Sequence, residues 1–195
     1  IGGDRSFDLG DYAQTPIADL LPMRLGVSEP SVVLDTFSPN LTEAGQRHPV
    51  TQLVSDAGQN AEIWANLHPL DGANKVLSLT KGADALLTHP TEMGDDGAPM
   101  PILAVKEVGR GRTMALTADA SWRWSLSEAG EGHGNQSYMR FWKGAMRWLA
   151  QDPSASRVEV NSGTENYRLG EEVRLVVTAR RSNFEPLEGA TVNLV

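Results

Sequence analysis

Side chains able to do chemistry are few and unevenly placed in this 195-residue chain. No cysteine is present, which removes disulfides, thiolate metal sites and thiol nucleophiles together. Ser6 lies in a glycine-bearing stretch with Asp4 and Asp8 close by. A serine hydrolase would need a histidine delivered to it by folding, and Asp, Ser and Gly are also what a plain polar turn requires. Three of the four histidines, His48, His68 and His89, precede proline, and none stands four residues from another. No helical face therefore carries a pair of metal ligands, and no metal or cofactor is implied. His89 ends a β-prone run and is the histidine best placed for chemistry. Asp119 follows another such run, at the carboxyl end of a strand, where open α/β sheets bind ligands. Trp122-Arg123-Trp124 could present a carbohydrate-stacking platform or a cation–π pocket, although packing of the indoles into a core is the plainer reading.

Two further clusters read as structure. Gly109-Arg110-Gly111-Arg112 joins two apolar β-prone runs, so it is a hairpin turn and not a phosphate loop, which needs a strand–loop–helix setting. Asp95-Asp96 lacks the regular oxygen spacing of a calcium loop. The net charge of -8, with no basic stripe to offset it, excludes a nucleic-acid partner. Nowhere do about 18 apolar residues run together, so no membrane span is expected in this segment.

The elements that must position these residues follow from periodicity and from breakers. Residues 1–14 read as a loop. Thr15-Pro16 opens a short helix with Ile17, Leu20 and Leu21 on its apolar face, and Pro22 stops it. Residues 31–37 read as a strand, and His48-Pro49 and Asn60 as the starts of short helices. Residues 75–80 and 83–89 read as strands and 90–99 as a loop. A hairpin is expected over 101–108 and 112–118. The strongest helix spans 135–151, with Tyr138, Phe141, Trp142, Ala145, Met146, Trp148 and Leu149 forming a broad buried face. After Asp152-Pro153 short strands are expected at 157–160, 172–179 and 190–195. Two units result: an α/β domain over 1–152 and a β-rich segment over 153–195, the start of an all-β, sandwich-like domain. Ile1-Gly2-Gly3 reads as the end of a buried strand. The α/β sheet is then partial, to be completed by the remainder of its own polypeptide or by self-association at an exposed edge.

The ordered set Gly2-Gly3-Asp4-Arg5-Ser6-Phe7, Gly10-Asp11-Tyr12, Thr15-Pro16-Ile17 and Leu20-Leu21-Pro22 resembles bacterial class I glutamine amidotransferase-like domains. The likeness continues through His48-Pro49-Val50-Thr51, Asn60 with Trp64, Gly82-Ala83, His89-Pro90 and Val108-Gly109-Arg110-Gly111. Asp119 with Trp122-Arg123-Trp124, and Tyr138-Met139-Arg140-Phe141-Trp142, complete it. Such domains occur in large membrane-anchored proteins, often beside a von Willebrand factor A-type domain. The resemblance implies a flavodoxin-like, three-layer α/β fold lacking its first strands, followed by a β-sandwich. It also implies an extracytoplasmic or periplasmic location in a membrane-anchored bacterial protein.

An active member of that family uses a cysteine on a tight strand-to-helix turn, with a distant His–Glu pair as base and orienting acid. By resemblance the turn falls at Gly3, close to Ser6, and holds no cysteine. The expected base position after 112–118 carries Asp119, Ala120 and Ser121, and the next histidine is His133. The expectation is a pseudoenzyme, a non-catalytic scaffold or recognition domain with no catalytic residue. Gly3, Ser6, His89, Asp119, Trp122 and Arg123 would surround any retained pocket. A hydrolase of altered chemistry at Asp119 or His89, and a sugar-binding module at Trp122 and Trp124, are the alternatives.

Overall fold

Capped helical segments alternate with β-prone runs, and the computed structural model describes them over residues 1–3, 5–130, 135–151, 158–161, 170, 173, 175–179, 187, 189 and 191. In chain order the first half contains α1 (Ile17–Leu20), β1 (Val32–Phe37), β2 (Asn40–Leu41), α2 (Glu43–Arg47), α3 (Ala57–Asn66) and β3 (Leu70–Asn74). Then come β4 (Ala83–Met93), β5 (Pro99–Val108), β6 (Gly111–Leu116), α4 (Arg123–Gly130) and α5 (Gln136–Leu149). The short strands β7 (Val158–Asn161) and β8 (Val176–Ala179) follow.

The main sheet grows from one turn. Gly109, at φ 59°, lets the chain reverse in two residues, so that β5 and β6 pair antiparallel from Val108↔Gly111 to Leu103↔Leu116. β4 flanks β5 on the other side and β2 extends the order to β2-β4-β5-β6. Met100 to Val105 are buried without interruption, because β5 is central and both its faces are covered. β1 and β3 form a second antiparallel pair, and β7 and β8 a third. The class is mixed α/β, as expected. Among the described residues every ladder is antiparallel, whereas a flavodoxin-like sheet is chiefly parallel.

Aromatic rings hold the helices together. Trp64 on α3, Trp124 on α4 and Phe141 on α5 meet edge to face, with centroids 5.4–6.1 Å apart and interplanar angles of 85–88°. The two indole N–H groups of this cluster each find a carbonyl: Trp64 donates to Thr51 at 2.7 Å and Trp124 to His68 at 2.9 Å. Asn60 is buried beside them, accepting from the Leu53 amide at 2.8 Å and donating to the Thr51 carbonyl at 3.2 Å. α5 comes so close to the chain at Pro49 that a Cβ on Gly144 would stand 2.8 Å from the Pro49 carbonyl oxygen. Only a residue without a side chain fits there.

Several expectations are corrected. Residues 7–10 and 12–14 form short 3-10 turns within the expected loop. Ile17 and Leu20 are exposed, so the expected apolar face of α1 is buried only in part. His48-Pro49 closes a helix instead of opening one. Proline forces its predecessor into extended backbone, and His48 at φ -81°, ψ 135° terminates α2, which Thr42 caps by accepting the Gly45 amide at 2.9 Å. α3 begins before Asn60, capped by Asp56. Residues 75–80 are not a strand, and the ladder lies earlier, in β3. β4 runs on through Met93, which shrinks the 90–99 loop. α4 was not anticipated, and Met146 faces solvent. β7 overlaps the strand expected at 157–160 and β8 falls within that expected at 172–179, while the run 190–195 lies, apart from Thr191, outside the described residues, as do Asp4 and His133.

His48 is a core group. It is buried with its ring edge-on to Trp148 at 5.1 Å, and its Nδ1 accepts the Val50 amide at 3.2 Å. Burial first, and the Arg112 guanidinium second, push its pKa down to about 3. The unfolded chain, with an ordinary value near 6.5, therefore takes up this proton first as pH falls. His48's share of stability is complete above about pH 6.5 and drains away, at about 1.4 kcal/mol per pH unit, down to about pH 3. In denaturant titrations across that range, His48→Asn is expected to remove this part of the slope while keeping an acceptor for Val50. Trp124→Ala is expected to cost about 3–5 kcal/mol in the same measurement, since it empties the centre of the aromatic cluster.

Candidate functional site

The amino-terminal residues are threaded between two strand ends. The Gly2 amide donates to the Leu116 carbonyl at 2.6 Å, and the Asn74 amide donates to the Thr117 carbonyl at 3.0 Å. A Cβ on Gly2 would overlap the Thr117 carbonyl oxygen, so glycine is required by contact. Asn74, at the end of β3 and buried, then grips Gly3 with both ends of its amide. Its Oδ1 accepts the Gly3 N–H at 3.0 Å and its Nδ2 donates to the Gly3 carbonyl at 3.2 Å.

Beyond this clamp lies a cleft of about 130 Å³, bordered by Gly3, Leu34, Asp71, Asn74, Thr117 and Asp119. It sits at the carboxyl ends of β3 and β6. Asp119 is exposed and makes no hydrogen bond or ion pair to the described residues. Asp71 is fully engaged: one oxygen accepts from Thr36 at 2.9 Å and the other pairs with Arg123 at 2.6 Å. The Arg123 guanidinium also lies 5.5 Å from the Trp122 ring centroid. The cleft therefore has one committed carboxylate and one available for an external partner.

Of the six residues singled out from the sequence, Gly3 and Asp119 line this cleft, and Arg123 reaches its rim through Asp71. Ser6 is next to Gly3, its amide donating to the Gly3 carbonyl at 3.2 Å, but its hydroxyl bonds none of the described residues. Trp122 is 51% exposed while Trp124 is 1% exposed. The adjacent indoles point to opposite sides, so they form no joint stacking platform. His89 stands apart from the cleft, packed on Phe37 with ring centroids 4.1 Å apart. His48 and His68 are not brought to it either, and among the described residues no three metal-ligating side chains converge.

The turn after Gly3 carries backbone strain. Phe7, a bulky residue, adopts φ 55°, and its side chain is only 3% exposed, packed near Tyr12. Sequence reasoning missed Asp71, Asn74, Thr117 and Phe7. Leu70-Asp71-Gly72-Ala73-Asn74 is poor in β-branched residues, so nothing marked its end as a strand terminus.

No family model and no curated protein matches the chain. Among solved structures, its fold is similar to that of the cytoplasmic protein STM3548 from Salmonella typhimurium, with a TM-score of 0.53 and 20% sequence identity. The match covers 76% of this chain and 52% of that one, so the chain spans about half the length of its structural relative. At this identity the likeness is one of fold alone. It corrects the extracytoplasmic, membrane-anchored placement expected above, because the protein that shares the fold is described as cytoplasmic. No described helix is long and apolar enough to cross a membrane.

Asn74→Ala removes both hydrogen bonds that hold Gly3. Chemical denaturation is expected to show a loss of about 1–3 kcal/mol.

Proposed function

We propose that this chain is part of a non-catalytic, glutamine amidotransferase-like domain that serves as a scaffold or recognition unit. In this reading its antiparallel sheets and helices belong to a flavodoxin-like, three-layer domain, and 153–195 is part of a sandwich-like one. The observation that carries the reading is Phe7. A nucleophile elbow places its reactive residue on a strained strand-to-helix turn with the side chain offered to solvent. Here the left-handed position that follows the expected turn at Gly3 belongs to a buried phenyl ring, which can neither attack a carbonyl nor transfer a proton.

Three further features support it. The Gly3 amide, which sits where an oxyanion donor would be sought, is consumed by Asn74. Among the described residues no histidine borders the cleft. Among the described residues no base bonds the Ser6 hydroxyl to take its proton. What remains is recognition chemistry: an available carboxylate at Asp119, a half-exposed indole at Trp122 and a guanidinium held between Trp122 and Asp71.

The protein incubated with glutamine is expected to release no ammonia above a blank. Ammonia release that disappears in Ser6→Ala or Asp119→Asn would overturn the proposal.

A further inference from the structure

We propose that His89 is a proton-operated latch, separate from the Gly3–Asp119 cleft, that holds the strand end at 90–93 against a neighbouring groove. The ring is buried, 3% exposed, and its bonding is one-sided. Nδ1 accepts the Thr91 amide at 3.2 Å and the Glu92 amide at 2.9 Å, with the Thr91 hydroxyl at 3.4 Å. A nitrogen that accepts two N–H groups carries no hydrogen of its own, so the neutral ring bears its proton on Nε2. Nε2 is buried and has no hydrogen-bond partner. A second proton can add only at Nδ1, where it would point at two amide hydrogens. Protonation and the two amide bonds therefore exclude each other.

The backbone at this point depends on the ring. The β4–β5 register is irregular between Thr88 and Met93, so the ladder does not secure residues 89–92 by itself. Glu92 and Met93 line a groove of about 330 Å³, opposite Glu29 and Pro30. Glu92 is also held there by Lys75, at 3.5 Å. Freeing the Thr91 and Glu92 amides loosens this wall.

The charges that act on His89 come from three elements. Glu92 on its own strand and Asp35 on β1 favour the cation, and Lys75, just after β3, opposes it. Nearby β5 and β2 positions, Pro99, Pro101 and Asn40, bring no charge. Burial outweighs these charges and holds the ring's affinity for a second proton below the ordinary value. The latch is thus closed at neutral pH and opens on acidification.

The test follows the His89 ring nitrogens and the amide exchange of Thr91 and Glu92 by NMR on the full chain, from about pH 8 to about pH 4. Leu103 and Val105 in β5 serve as controls. Protection at Thr91 and Glu92 is expected to fall about tenfold per pH unit as the pH descends from about 6.5 toward the ring's midpoint and to level off below it, with the β5 amides unchanged. His89→Asn, whose side-chain oxygen can accept the same amides and cannot titrate, is expected to keep protection level across the range. Three results would each overturn the latch: both amides stay protected while the ring takes up its proton, the ring stays neutral until β5 also exchanges, or His89→Asn retains the pH dependence.

Discussion

The edge-to-face contact of Trp64, Trp124 and Phe141 is the interaction on which the remaining arrangement rests. It joins α3 to α4 and α5, which follow it more than fifty residues later, and it does so with rings whose polar atoms are satisfied by the Thr51 and His68 carbonyls. Trp124 sits at the start of α4, one residue after Arg123 and five after Asp119. Anchoring that indole fixes the helix start, which in turn sends Arg123 to Asp71 and leaves Asp119 at the cleft. The candidate site is positioned by an aromatic contact that takes no part in it.

Around the cleft, groups that could meet a ligand are largely turned toward the protein itself. Phe7, four residues beyond Gly3, holds a left-handed backbone angle with its ring in the core. The Gly3 amide is taken up by Asn74. Asp119 stays exposed at the edge of the cleft.

Much of the framework was legible from local pattern. The β5–β6 hairpin announced itself through a glycine turn between apolar runs, and α5 through aromatics at three- and four-residue spacing, because in both cases local propensity and tertiary burial agree. β3 was not legible, since its glycine, aspartate and asparagine contradict strand propensity and only pairing with β1 overrides them. α4 was hidden because Trp122-Arg123-Trp124 drew notice as a cluster, while the turn at Ala120–Trp122 that separates the two indoles leaves no clear trace in composition. Asp119 was found from its place after a strand. Asn74 and Phe7 were not, as a side chain that reaches across 71 positions and a strained dihedral angle are properties of the folded chain only.

The way α5 ends bears on how force travels. Arg112 on β6 donates to the Trp148 carbonyl at 2.8 Å with its guanidinium 5.1 Å from the same residue's ring, and the Gln151 side chain bonds the Arg110 carbonyl at the hairpin tip. The polypeptide leaves for its carboxyl-terminal segment directly after this stitch. A pull from that side reaches the hairpin before it can unwind the helix, and in that direction the antiparallel ladder of β5 and β6 bears the load first.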